Sequence, residues 1–217
     1  MATATTLTIQ GYRGEPVPNR YLRPDAGINR LAMLLPGFGY TLDMPLFYYA
    51  ENMLLERGWD VLRVEYAYNL RPQFQTASDQ ERERWLLADV TAAWHAGLEQ
   101  GTYERILLIG KSLGTLAMGH LLTMTDPPPT VGAVWLTPML AEDRLRQQIR
   151  RYGGPSLFVI GTVDPHFDPE VLNDMRAATN GEAVVVEGAD HGMDVPGDPL
   201  ASVRAVERVV EALHRFL

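Results

Sequence analysis

The chain has only four serines, and one of them, Ser112, sits between two glycines in Gly110-Lys111-Ser112-Leu113-Gly114. A serine hydroxyl is a weak nucleophile until an imidazole takes its proton, and the imidazole needs a carboxylate to fix its tautomer. Both types follow downstream, Asp164 in Gly161-Thr162-Val163-Asp164-Pro165 and His191 in Ala189-Asp190-His191-Gly192. Read together, Ser112 is the candidate nucleophile, His191 its base and Asp164 the group that orients the base. The chemistry of such a set is acyl transfer through a covalent serine intermediate. The G-x-S-x-G pattern alone is a modest signal in a chain with 19 glycines. Its flanks strengthen it, because a strand must run in and a helix must run out for the serine to project from a tight turn.

Other titratable groups have simpler explanations. Asp168 precedes Pro169, the arrangement of a helix N-cap, and is set aside as the rival acid. Asp190 adjoins His191 and should point elsewhere. His166 is the rival base, but two residues from Asp164 it reads as a loop histidine. His95, His120 and His214 fall in helical stretches. Lys111 lies inside the turn; of two roles, contact with an acidic substrate and a structural ion pair, the second is favoured. No cluster has metal-ligand spacing and no glycine-rich phosphate loop is present, so neither metal nor cofactor is expected.

The elements that must position these residues alternate. Ile106–Ile109 is an apolar run of strand length, and Leu116, Ala117, Leu121 and Met124 after the glycines recur at helical spacing. Further strands are expected at 4–10 and 16–24 (edge partners), 30–35, 60–66, 130–137, 156–161 and 183–187. Helices are expected from Asp43-Pro45 to Gly58, from Ser78 to Gly101, over 141–152, after Asp168-Pro169 and after Asp198-Pro199. The last helix carries an inner stripe of Val203, Val206, Val210, Leu213 and Leu217. Strands alternating with helices imply a mostly parallel sheet of seven or eight strands covered on both faces, within a single domain over 1–217. Ligands meet such sheets at the carboxyl ends of the strands, where Ser112, Asp164 and His191 all fall.

Composition agrees and excludes other classes. The 217 residues are 46% hydrophobic and 21% charged, as in globular proteins. A net charge of −8 without a basic block argues against a nucleic-acid or anionic-membrane partner. Arg144, Arg146, Arg150 and Arg151 look like the solvated face of a helix with Leu145 and Ile149 inward. The absence of cysteine removes disulfides, thiolate nucleophiles and cysteine-bound zinc. The start, Met-Ala-Thr-Ala-Thr-Thr, lacks a signal-peptide pattern, and no apolar run is long enough to span a bilayer. A cytoplasmic location is the expectation. Oligomeric state is left open.

From Leu31 to Leu217 the chain resembles the serine α/β-hydrolases, in the small lid-free form typified by dienelactone-hydrolase-like esterases. The marks are Pro-Gly-Phe-Gly at 36–39, Gly-Lys-Ser-Leu-Gly at 110–114, Gly-Thr-Val-Asp-Pro at 161–165 and Ala-Asp-His-Gly at 189–192. The resemblance implies an oxyanion hole from the amides of Leu113 and Phe38, and hydrolysis of an ester or thioester of a small acyl substrate. Two departures are visible. Pro36 stands where the family usually has histidine, which bears on the geometry of that loop, and dienelactone hydrolases proper use a cysteine that this chain lacks. The alternative is a binding or scaffold module that keeps the fold without catalysis. Because Pro138-Met139-Leu140 leads almost at once into a helix, no room remains for a lid. The pocket is therefore expected to be shallow, walled by Phe38, Tyr40, Leu113, Met139, Phe167 and Met193, with selectivity flattening after a short acyl chain.

Overall fold

The computed structural model describes residues 2–25, 29–124 and 131–217. Eight strands form one sheet: β1 (Ala2–Thr5), β2 (Asn19–Pro24), β3 (Arg30–Leu35), β4 (Asp60–Val64), β5 (Arg105–Lys111), β6 (Val131–Leu136), β7 (Ser156–Gly161) and β8 (Glu182–Val186). Their spatial order is β1-β2-β4-β3-β5-β6-β7-β8. The β1–β2 and β2–β4 pairs are antiparallel, and every pair from β4 through β3 to β8 is parallel. Among the described residues seven α-helices accompany them: α1 (Pro45–Glu56), α2 (Pro72–Thr76), α3 (Asp79–Leu98), α4 (Leu113–Leu122), α5 (Asp143–Tyr152), α6 (Pro169–Thr179) and α7 (Pro199–Phe216). No described helix is long and apolar enough to cross a membrane.

The central strand shows why the sheet is covered twice. Ile106 and Leu108 enter one core, Leu107 and Ile109 the other, as a period of two requires when both faces are buried. The first core takes α3, α4, α5 and α6 through residues such as Trp85, Ala117, Ile149 and Met175. The second takes α1 and α7 through Leu46, Phe47, Ala50, Val209 and Leu213. The carboxyl ends of β5, β7 and β8 therefore open along one rim between the two helical layers.

Several boundaries differ from the sequence expectation for local reasons. The strand expected at 4–10 is Ala2–Thr5; beyond it the Asn19 side chain takes both the N–H and the C=O of Leu7, and the chain pairs again only through an isolated bridge between Gln10 and Pro16. Asp43 does not cap α1; Met44 is the N-cap, and the Asp43 carboxylate accepts from the buried Arg63 at 2.6 Å. Ser78, Asp168 and Asp198 do cap α3, α6 and α7 through side-chain oxygens. In α7 the buried residues are Ala205, Val209, Ala212 and Leu213, while Val203 is exposed, so the buried face is rotated from the stripe read off the valines. Small alanines there let α7 lie close to the sheet. Residue 130, the expected start of β6, lies outside the described residues. Only six residues separate β6 from α5, and no lid occupies them.

Candidate active site

Ser112 is the residue between β5 and α4. Its backbone stands at φ +51°, ψ −116°, a strained conformation for a residue with a Cβ. The two flanking glycines make the turn possible. A Cβ on Gly110 would fall 2.6 Å from the Gly114 carbonyl oxygen, and one on Gly114 would fall 2.1 Å from the Leu35 carbonyl oxygen. Strand and helix thus meet at distances that no side chain tolerates. Although Ser112 is the N-cap residue of α4, its side chain makes no capping bond. Its Oγ instead lies 2.8 Å from His191 Nε2.

His191 follows β8 and Asp164 follows β7. His191 Nδ1 lies 2.7 Å from Asp164 Oδ2, and the carboxyl side chain is fully buried. The His166 amide donates to the other oxygen, Asp164 Oδ1, at 2.8 Å. Burial alone would push this carboxyl up. The bonds from His191 and from the His166 amide, with the field of the two imidazoles, outweigh it and hold Asp164 below the ordinary carboxylate range. The fold therefore brings together all three residues proposed from sequence. Asp168 stays away from them, accepting from the Glu170 and Val171 amides as the α6 cap. Asp190 bonds the amides of Gly192 and Asp194 and shapes the His191 turn.

The loop after β3 approaches the same point. A Cβ on Gly37 would lie 3.3 Å from the Ser112 Cβ, so Pro36-Gly37-Phe38 runs against the turn. The Tyr66 hydroxyl, buried, donates to the Pro36 carbonyl at 2.7 Å. Tyr66 stacks on Tyr68 and Tyr68 on Phe74, with ring centroids 4.5 and 4.0 Å apart, and Phe38 packs on Phe74 at 6.4 Å. This aromatic series holds the loop where a histidine is absent. The Leu113 amide is the first of α4, and helix N-terminal amides lack an intrahelical acceptor.

Lys111 resolves differently from the expected ion pair. Its side chain is 1% exposed, and Nζ donates to Thr137 Oγ1 at 2.7 Å and to the His191 carbonyl at 2.6 Å. The ammonium also lies 4.6 Å from the centre of the Tyr40 ring. No carboxylate touches it among the described residues. Burial lowers it to about 8 despite the opposing fields of Asp164, Asp190 and Asp194. Lys111 thus ties the ends of β5, β6 and the His191 turn together from below, out of reach of a substrate.

Three of the expected pocket walls border the groove beside Ser112 and three do not. Phe38, Leu113 and Met139 line a groove of about 600 Å³ that includes Ser112. Met193 is 1% exposed and belongs to the core under α7. Tyr40 packs on that core, its hydroxyl accepting from the Leu46 amide. Phe167 packs on the opposite core and does not line the groove. Leu87 of α3 and Leu116 of α4 add partly exposed walls, while Phe74, Leu86 and Leu145 border the groove as buried residues. The sequence signal for them was present as apolar helix positions, but nothing in one helix tells which of its leucines face a neighbour and which face a gap.

Asp164, His166 and His191 place ligand atoms within 4.8 Å of one another, a set able to hold a divalent ion. Seating an ion on His191 Nδ1 would displace its bond to Asp164. His166 Nδ1 is buried with no hydrogen-bond partner among the described residues, and its ring lies 5.4 Å from that of His191.

The strained serine turn, the imidazole and carboxylate on neighbouring strand ends and the mostly parallel sheet define an α/β hydrolase. Residues 30–216 match the model of the alpha/beta hydrolase domain family, and the chain belongs to that family. Among curated proteins none matches it. Solved structures of the same fold include a predicted CIB-like hydrolase from Thermoplasma acidophilum (17% identity, 99% of each chain, TM-score 0.68). Others are Est1E from Butyrivibrio proteoclasticus (15% identity, 98% of this chain and 99% of that one, TM-score 0.67) and an α/β serine hydrolase without a lid from Xanthomonas campestris (17% identity, 99% and 93%, TM-score 0.68).

Proposed function

We propose that this chain, acting as one domain, is a serine hydrolase that cleaves a carboxylic ester or thioester of a small acyl substrate. The observation that carries the reading is the unbroken line Asp164 Oδ2, His191 Nδ1, His191 Nε2, Ser112 Oγ, with links of 2.7 and 2.8 Å ending at a strained turn. Ser112 Oγ attacks the substrate carbonyl carbon as its proton passes to His191 Nε2. Asp164 stays ionised, fixes the imidazole tautomer and stabilises the imidazolium. The Leu113 and Phe38 amides receive the oxyanion. The intermediate collapses, the leaving alcohol or thiol takes the proton from His191, and the acyl group remains on Ser112. Water then attacks that ester with His191 again as base, releasing the acid and restoring the serine.

The experiment is labelling by a fluorophosphonate, which reacts with an activated serine. Wild type should label, and Ser112→Ala should lose all labelling while keeping its fold. An unlabelled wild type would place the chain among non-catalytic members of the fold.

A further inference from the structure

The groove beside Ser112 has a definite architecture. Its floor is the first turn of α4, where Leu113 and Leu116, three residues apart, lie on one face. One side is α3, with the partly exposed Leu87; the other is Met139 and α5, with Gln148. Charged groups line the same groove, and two of them join across it: Arg144 of α5 is ion-paired with Glu83 of α3. Both are substantially exposed, and pairs of this kind contribute little to stability, so the bridge opens at small cost.

The groove lies on one side of the serine. It is lined by Ser112, Leu113 and Phe38, the last two being the residues of the proposed oxyanion amides, whereas neither His191 nor Asp164 borders it. The leaving group has to lie against His191 Nε2, from which it takes its proton. The part of the substrate that extends along α4 is therefore the acyl part. From this we infer that the groove is an acyl-chain site, taking an uncharged, unbranched acyl tail of medium length along Leu113 and Leu116 and between Leu87 and Met139, in the groove that the Glu83–Arg144 pair spans. The inference rests on the proposed hydrolase reading and replaces the shallow pocket expected from the absence of a lid. Apolar side chains give the tail its binding energy, and the two arginines that line the groove, Arg82 and Arg144, are ion-paired with Asp79 and Glu83, which gives no reason for an acidic tail.

The test is kcat/KM for p-nitrophenyl esters from acetate to palmitate, on wild type, Leu116→Trp and Leu87→Trp. Both leucines are partly exposed, so the indole projects into the groove rather than the core. Wild type should gain up to about fourfold per added methylene over the middle of the series, then level once the groove is filled. Each tryptophan variant should lower the octanoate-to-acetate ratio at least tenfold, and a series of acetate esters with lengthening alcohols should show no such change in ratio. Fluorophosphonate labelling separates the two levels of failure. A labelled wild type with a flat acyl series, or tryptophan variants that scale all esters down equally, would overturn the acyl site and leave the hydrolase standing. An unlabelled wild type would overturn both.

Discussion

Lys111→Met isolates the effect of one buried charge. The methionine keeps the length of the side chain and removes the ammonium. In the folded chain Lys111 titrates near 8, whereas an exposed lysine does so at 10.5. The difference corresponds to about 3 kcal/mol of disfavour for the charged form in its buried place. The sign follows from proton counting. Between about pH 8 and pH 10 the unfolded chain keeps the lysine proton and the folded chain releases it, so the unfolded state binds more protons and stability rises with pH. Above about pH 10 the buried Tyr66 and Tyr68, whose hydroxyls are held well above their ordinary range, reverse the slope. Urea unfolding at about pH 7 and about pH 9.5 should therefore show wild type gaining on the order of 2 kcal/mol relative to Lys111→Met. The variant also frees the His191 carbonyl and the Thr137 hydroxyl, so kcat should fall with KM nearly unchanged, as expected of a group that aims the base without touching substrate. Parallel stability curves for the two proteins would refute the buried ammonium, and an unaltered kcat would refute its hold on His191.

Asp164→Asn should lower kcat by on the order of 10⁴, while Asp168→Ala should cost about 1 kcal/mol of stability and little activity; the reverse pattern in a paired kinetic and urea measurement would exchange their roles. Asp164 is held low in the folded chain, so its contribution is in place above the unfolded carboxylate range and is lost as pH falls through its own titration; Asp164→Asn should accordingly show a shallower acid-unfolding profile. Gly114→Ala drives a methyl into the Leu35 carbonyl, and should lower stability by about 3 kcal/mol or more in thermal unfolding. Arg144→Ala opens the bridge across the groove; it should change stability by under about 1 kcal/mol, with its kinetic effect confined to the longer acyl esters.

How legible the molecule was depended on how local the cause was. Ser112, Asp164 and His191 could be found because each sits on a short turn after an apolar strand, and strand ends in a parallel sheet share one rim. The caps Ser78, Asp168 and Asp198 were legible for the same reason, since side chain and amide lie within three residues. Asp43 was misread because its partner, Arg63, lies on a strand 20 residues away. Met193 and Tyr40 were misplaced because a loop position does not say whether a side chain turns toward solvent or under a helix. The groove itself was invisible, being the space left between α3, α4 and α5, and a gap between helices has no residue pattern of its own.

The hydrogen bond between Ser112 and His191 joins positions 79 apart in sequence. Pairings of such span are slow, because the entropy of closing long loops is lost before the contacts form. On a ribosome the first half of the sheet is exposed well before β8 and α7 emerge, and α7 supplies the cover for the core that β7 and Met193 share. The nascent chain consequently passes through a stage that has the serine turn but neither His191 nor α7, with an apolar face uncovered. A chain released before β8 would lack His191 and leave that face uncovered, prone to self-association, and recovery of activity after dilution from denaturant should lag behind recovery of helical circular dichroism.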